Sequence, residues 1–454
     1  MKIHILGICG TFMGGLALLA RSRGHEVSGS DANAYPPMST HLRESGIRVL
    51  EGYDPAHLDP APDQVVIGNT LSRGDAVVEY VLDQNLPYIS GPQWLAEHIL
   101  AGRHVLAVAG THGKTTTTSM LAWILDCAGL EPGYLIGGIA ENFGNSARDG
   151  RAPYFVIEAD EYDTAFFDKR SKFIHYHPRT LIINNIEFDH ADIFGDIEDI
   201  KREFHRLLRI VPGSGRILHR HGDTVTTEVL AMGCWTPVQT FGGAGGDWRV
   251  TDAADDYSRF AVARNGREAG RVTWDLIGGY NADNALAAIA AAAEAGVDPA
   301  VACEALGRFR SVKRRLQKLV ETGGVSVYDD FAHHPTAVRL TLEALRAHVG
   351  EARIIAVLEP RSNTMKMGVH RDTLGDALSV ADRVLLYHPP ELEWDLNAVL
   401  TSLEGRGEIH TETEALIQHL TAIAAPGDHI LIMSNGGFEN LHRRFIERLQ
   451  QAAS

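Results

Sequence analysis

The run Val108-Ala109-Gly110-Thr111-His112-Gly113-Lys114-Thr115-Thr116 joins an apolar stretch to a glycine-rich turn, a lysine and a row of hydroxyls. A turn of this kind turns backbone N–H groups towards phosphate oxygens, sets a lysine as a point charge on the β- and γ-phosphates and offers a hydroxyl to Mg²⁺. Gly110, Thr111, His112, Gly113, Lys114, Thr115 and Thr116 are therefore the expected nucleotide-binding residues, with ATP and Mg²⁺ as ligands. The usual loop opens with a glycine where this chain has Val108, so the turn is a tighter variant. Arg103 to Ala109 supplies a strand before it. A helix is expected from Thr116 to Ala128, starting where the phosphates sit. Replacing Lys114 by alanine is expected to abolish turnover and leave the fold intact, because the lysine answers phosphates that the empty protein lacks.

Mg²⁺ needs further oxygen ligands. The apolar runs Tyr154–Ile157 and Thr180–Ile183 read as core strands, and each ends in polar groups, where open α/β sheets collect their chemistry. Glu158 is the expected metal carboxylate, with Asp160 and Glu161 as competitors. His190, preceded by Asn185 and Asp189, is expected to ligate metal or to orient phosphate through its imidazole. Arg315, in the pair Arg314-Arg315 before the last third of the chain, suits a clamp on a transferring phosphoryl group. Asp330 follows a strand and is expected on a nucleotide ribose, with His333 and His334 shaping its loop.

These residues need three units to position them. In the first, Ile3–Leu6 reads as a strand, Gly7 to Gly15 as the following turn, Leu16–Ser22 as a helix and Gly24–Asp31 as a second strand ending in an acid. The beginning is Rossmann-like, although Cys9 and Phe12 stand at the second and third glycine positions of G-x-G-x-x-G. A dinucleotide fold and a plain strand–helix–strand unit fit that fingerprint equally. The second unit begins near Arg103 and includes a helix over Ala285–Gly296; its Gly242–Gly246 run reads as a structural loop. The third begins near Val312. Its strands, Val325–Tyr328, Arg353–Leu358 and His429–Met433, alternate with helices such as Thr336–His348, so a small parallel sheet is expected.

The whole is an α/β chain of 454 residues, too long for one hydrophobic core. A net charge of −16 argues against a nucleic-acid partner. Cys9, Cys127, Cys234 and Cys303 have no metal-type spacing, which fits a reducing cytoplasm. With no charged leader and no long apolar run, neither export nor a membrane partner is expected. No obligate protein partner is implied.

Taken together, the motifs resemble the ATP-dependent Mur ligases of bacterial peptidoglycan synthesis, over essentially the full length. Gly7 to Gly15 is similar to that family's UDP-sugar loop and Gly110 to Thr118 to its phosphate loop, which also lacks the early glycine. Glu158-Ala159-Asp160-Glu161 and Asn185-Ile186-Glu187-Phe188-Asp189-His190 resemble its acid and metal motifs. Asn281 and Asn284, Arg314-Arg315, and Asp329 to Pro335 resemble its adenine-side, boundary-arginine and ribose-side motifs.

The resemblance implies a Rossmann-like UDP-sugar domain over 1–102, a central P-loop ATPase-like domain over 103–312, and a smaller Rossmann-like domain over 313–454 that binds peptide and closes on ATP. It implies Lys114, Glu158, His190 and Arg315 as catalytic, Thr115, Glu158 and His190 on metal, and Asn284, Arg315 and Asp330 on the nucleotide. Gly7, Gly10, Thr11, Gly14, Gly15, Ser30, Asp31, Asn69 and Arg361 would bind substrate. The modified lysine of some members would fall near His205, so a second metal is expected to be managed without it.

Two branches of the family share UDP-N-acetylmuramate. One adds L-alanine. The other, in recycling, adds L-alanyl-γ-D-glutamyl-meso-diaminopimelate. Cys9 and Phe12, Ser28 to Thr40, Asp168 to Ile174, Glu359 to Met365 and Ser434 to Phe438 resemble the recycling branch. Arg361 is expected either to pair with the diaminopimelate carboxylate or to anchor its own loop to Glu359 or an adjacent acid.

Overall fold

The computed structural model describes residues 1–34, 38–151 and 153–453. Tyr35, Pro36 and Pro37, within the Ser28 to Thr40 stretch, lie outside the described residues. Among the described residues three large sheets follow one another along the chain, and a two-stranded antiparallel ribbon, Asp163–Ala165 with Asp168–Ser171, accompanies the second.

The first is wholly parallel, in the order Arg48–Glu51, Glu26–Asp31, Lys2–Leu6, Gln64–Ile67, Tyr88–Ser90. The strand order reverses at Lys2–Leu6, so the turn after it opens at the switch point where ligands gather. Alternation sorts the core. Ile3 and Ile5 pack with Leu16 and Leu19 on one face, and Leu6, Val65 and Ile67 with Val77, Val78 and Val81 on the other. The helix Thr11–Ser22 begins directly after Gly10, earlier than Leu16, and takes Gly14 and Gly15 into its body instead of leaving them in the turn.

Ten strands form the second sheet. Its centre places Thr180–Ile183, His104–Ala109 and Tyr154–Glu158 side by side and parallel. Continuous apolar runs suit strands covered on both faces. Leu106 and Val108 meet Met120, Leu121 and the alanine-rich helix Gly279–Glu294, while Val105 and Ala107 meet Phe155, Phe173 and Phe204. The latter cluster runs unbroken into the first unit through Leu16, Trp94, Leu135 and Ala147. The phosphate-loop helix spans Lys114–Cys127, two residues ahead of the expected Thr116 start, because Gly113 at φ +79° turns the chain at once. The alanine-rich helix also starts early and so carries Asn281 and Asn284.

The third sheet has its own core. Five of its six strands are parallel, but Gln317–Thr322 runs antiparallel to Val325–Asp330. The expected all-parallel sheet is thus corrected to a mixed one. Gly323 and Gly324, at φ +57° and +76°, form the two-residue hairpin turn that adds the edge strand. Before it, Ser311, Arg314 and Leu316 adopt φ of +75°, +63° and +45°, bending the connector from the second unit.

Candidate active site

The phosphate loop is braced from below. A Cβ at Gly110 would stand 2.9 Å from the Asn185 carbonyl oxygen, and one at Gly113 would stand 2.5 Å from Asn284 Oδ1. The backbone N–H groups of Thr111 and His112 donate to Asn185 O and Oδ1, each at 2.9 Å. Asn184 donates to His112 O and Thr117 Oγ1, and Thr117 donates to Asn284 Oδ1. Asn284 therefore supports the loop with its oxygen. No side chain caps the helix that follows, which leaves its first N–H groups for a ligand.

Lys114 is buried, and its Nζ donates to Gly110 O at 2.7 Å and to Glu161 Oε2 at 2.9 Å, with Asp160 at 3.6 Å. Burial works against the ammonium, but Glu161 and Asp160 prevail and hold it above the ordinary lysine range. The other oxygen of Glu161 lies 3.2 Å from His190 Nε2. Burial opposes charge on Glu161 too; Lys114 and His190 overcome it and hold the carboxyl down to about 2. His190 is raised, since Glu161 outweighs burial.

Glu158 accepts from Thr115 Oγ1 at 2.8 Å and from the Gly137 N–H at 2.6 Å. Burial and the Asp160 charge push it up to about 7. The two acids thus divide the work: Glu158 faces the threonine hydroxyl, and Glu161 links the lysine to the histidine. Glu161 stood only as a competitor of Glu158 in the sequence, and its central place appears with the fold.

A cleft of about 2320 Å³ is lined by Gly7, Gly10, Thr11, Asn69, Lys114, Glu158, His190, Arg315 and Asn435, residues of all three units. Several expected site residues are engaged within the protein itself. Ser30 is fully buried, its hydroxyl bonded to His4 and His57. Gly14 and Gly15 are packing positions: a Cβ would stand 2.6 Å from Met38 Sδ and 2.3 Å from Leu135 Cδ1. Asp31 lines the cleft, but its carboxylate accepts from the N–H groups of Cys9 and Asn33, so it shapes the turn.

Asp330 accepts from the N–H groups of Leu316 and Ala332, each at 2.6 Å, which fixes the connector instead of leaving both oxygens for a ribose. Arg361 is half exposed, lies 3.8 Å from Glu359 Oε1 and packs over Gly436. The loop-anchoring alternative accounts for that pose. His205 stacks on Trp235 outside the cleft lining.

Polar contacts bring the third unit onto the second. Arg315 Nη2 reaches Thr115 Oγ1 at 3.4 Å with its guanidinium 5.0 Å over Phe331, whereas Arg314 is held by Asp329 and Ser434. Thr336 donates to Glu187 at 2.7 Å, Thr364 to Asp189 at 2.9 Å and Asn363 to Asp192 at 2.8 Å. His112, Glu187 and His334 also gather across this boundary. Burial works against Glu187, and His112, Thr336 and His334 hold it down to about 2.

A strand–turn–helix phosphate loop, paired acids and a third unit folded over the cleft define an ATP-dependent ligase architecture. The Mur ligase family, catalytic domain matches residues 2–103, the Mur ligase middle domain 108–292 and the Mur ligase, glutamate ligase domain 314–436. The chain belongs to the Mur ligase family, and with it come C–N bond formation and an ATP- and Mg²⁺-dependent mechanism.

Within the family it is similar to the UDP-N-acetylmuramate--L-alanyl-gamma-D-glutamyl-meso-2,6-diaminoheptandioate ligases of Haemophilus influenzae and Escherichia coli. Each is 54% identical, covering 99% and 100% of this chain respectively and 99% of either relative. The murein peptide ligase structure from Psychrobacter arcticus 273-4 superposes with a TM-score of 0.76 at 46% identity, covering 99% of both chains. A UDP-N-acetylmuramate--L-alanine ligase from Rubrobacter xylanophilus is 32% identical over 99% of this chain and 100% of its own. Among the described residues, no helix is long and apolar enough to cross a membrane.

Proposed function

We propose that this ligase joins L-alanyl-γ-D-glutamyl-meso-diaminopimelate to UDP-N-acetylmuramate in the cytoplasm, as a recycling step of peptidoglycan metabolism, with ATP converted to ADP and phosphate. The domains are 1–102 for the UDP-sugar, 103–312 for ATP and 313–454 for the peptide. The observation that carries the reading is one cleft lined together by the Gly7–Thr11 turn, the Lys114 loop and the third unit. Identity of 54% to tripeptide ligases against 32% to an alanine ligase favours the tripeptide over L-alanine.

In the first step an oxygen of the lactyl carboxylate attacks the γ-phosphorus, and the bond to ADP breaks. The alanine amine of the peptide then attacks the acyl carbon, loses its proton and expels phosphate. Lys114 supplies the fixed charge at the phosphates, and Arg315, beside Thr115, adds a second cation from the third unit. The hydroxyl of Thr115 and the carboxylate of Glu158, 2.8 Å apart, would hold Mg²⁺, and His190, whose Nε2 faces Glu161 at 3.2 Å, would have to turn from that carboxylate to join them. The ion would screen phosphate charge. Closure through Thr336 and Thr364 keeps water from the acyl phosphate.

The test supplies ATP and UDP-N-acetylmuramate with either the tripeptide or L-alanine, and follows ADP and the UDP-linked product. Product with the tripeptide and little with alanine is expected; the opposite preference assigns the chain to the alanine-adding reaction.

A further inference from the structure

Lys172 is a buried lysine that the preceding mechanism leaves without a task. It is 7% exposed, lines the cleft, and forms no ion pair among the described residues. Its backbone N–H donates to Tyr162 O at 2.8 Å, which fixes where the side chain begins. The Nζ stands 5.3 Å from the Phe12 ring centroid and 5.3 Å from that of Tyr162. Phe12 belongs to the helix start beside Gly10 and Thr11, on the sugar-nucleotide side. Tyr162 packs its ring 4.4 Å from that of His190, on the ATP side. The ammonium therefore stands where the two halves of the reaction meet.

A buried cation without a contacting anion is costly, and rings satisfy it only in part. Burial lowers the basicity of Lys172, while Asp160, Asp163 and Glu161 act on it only through their field. Lys114 acts on it in the same way and repels it. An anion placed between the two lysines would satisfy both. On the reaction proposed above, a substrate carboxylate must lie next to the γ-phosphate at that place.

We propose that Lys172 binds the lactyl carboxylate of the sugar nucleotide and holds its attacking oxygen towards the phosphate held by Lys114. This rests on the substrate reading given under Proposed function. No bond to Lys172 forms or breaks; the residue neutralises and orients.

The experiment compares binding of UDP-N-acetylmuramate with that of UDP-N-acetylglucosamine, which carries no lactyl carboxylate, to the full-length wild-type protein and to Lys172→Met and Lys172→Arg. The wild type is expected to prefer the carboxylate-bearing sugar. Lys172→Met should bind it about 10- to 100-fold more weakly, the range of a charge-assisted hydrogen bond, with UDP-N-acetylglucosamine unchanged. Lys172→Arg should retain part of the preference. Equal loss of both sugars in Lys172→Met and Lys172→Arg makes the lysine a brace between Phe12 and Tyr162 and overturns the proposal, as does an undiminished preference in Lys172→Met. A wild type without any preference overturns the substrate reading itself, and Lys172's role with it.

Discussion

Lys114→Met should unfold the central unit at lower temperature even with no nucleotide present. The sequence alone led to the expectation of an intact fold, but the lysine is buried and paired with Glu161 at 2.9 Å. Removing one partner of a buried ion pair costs about 3–5 kcal/mol, because the other charge stays behind without compensation. Here His190, 3.2 Å from Glu161, still answers part of that charge, so the lower end, about 3 kcal/mol, applies. In a domain of this size that is a fall in Tm of roughly 10 °C.

Glu161→Gln leaves the lysine with only Asp160, at 3.6 Å, and should cost a similar amount. The double variant removes both charges and should recover most of the loss, while all three variants lose ligation. Calorimetry with circular dichroism on the four proteins, alongside ADP release, closes the cycle. Single variants that melt with the wild type, or a double variant that loses the sum of the two, would refute the reasoning.

Gly113→Ala forces an L-residue to φ +79° and sets a Cβ 2.5 Å from Asn284 Oδ1, so about 2 kcal/mol or more of strain falls on the loop. Titration with a fluorescent ATP analogue should show at least tenfold weaker binding; unchanged affinity would remove the loop from the nucleotide site. His4, buried between Ser28 and Ser30, is lowered to about 4 by burial, then by His57 and Arg48, while the unfolded chain protonates near 6.5. Between those values the unfolded state binds more protons, so the stability is present above pH 6.5 and is lost as pH falls towards 4, in all roughly 3 kcal/mol. Urea unfolding of the wild type and His4→Gln at pH 7 and 5 should show the steeper loss only in the wild type. Thr364→Val removes the bonds to Asp189 and the Ala191 N–H, worth about 1–2 kcal/mol, and should populate an open form about tenfold more. Small-angle scattering that shows no expansion would place closure elsewhere.

The phosphate loop was legible because its chemistry is local: a glycine forced to positive φ, a lysine and a threonine act within one turn. The strand ends were legible because apolar runs announce buried strands, and topology puts their ends together. Which way a residue points at those ends was not. Glu158 and Glu161 differ by less than one turn of chain, yet one meets Thr115 and the other Lys114. Gly14 and Ser30 are residue types of a sugar site, but the helix began at Thr11 and Ser30 faces His4, which only packing decides. Lys172 closes the run Lys169-Arg170-Ser171-Lys172. Lys169 and Arg170 do what such runs usually do, pairing at the surface with Asp163 and Asp168. The inward turn of the fourth residue has no local signal.

The contrast between the two unit boundaries bears on heat capacity. The first and second units share one apolar cluster and cannot part without wetting it, a change that would carry a large positive ΔCp. The ties of the third unit to the second are polar ones, among them Thr336, Thr364 and Asn363 on three carboxylates, Arg315 on Thr115, Gln317 on Glu141 and His348 on Asp256, and its own apolar clusters are separate. Swinging it aside exchanges hydrogen bonds with protein for hydrogen bonds with water and leaves the apolar clusters of the third unit intact. Its opening therefore carries a small ΔCp and an enthalpy that stays nearly constant with temperature, and a single chain pairs a joint of large ΔCp with one of small ΔCp.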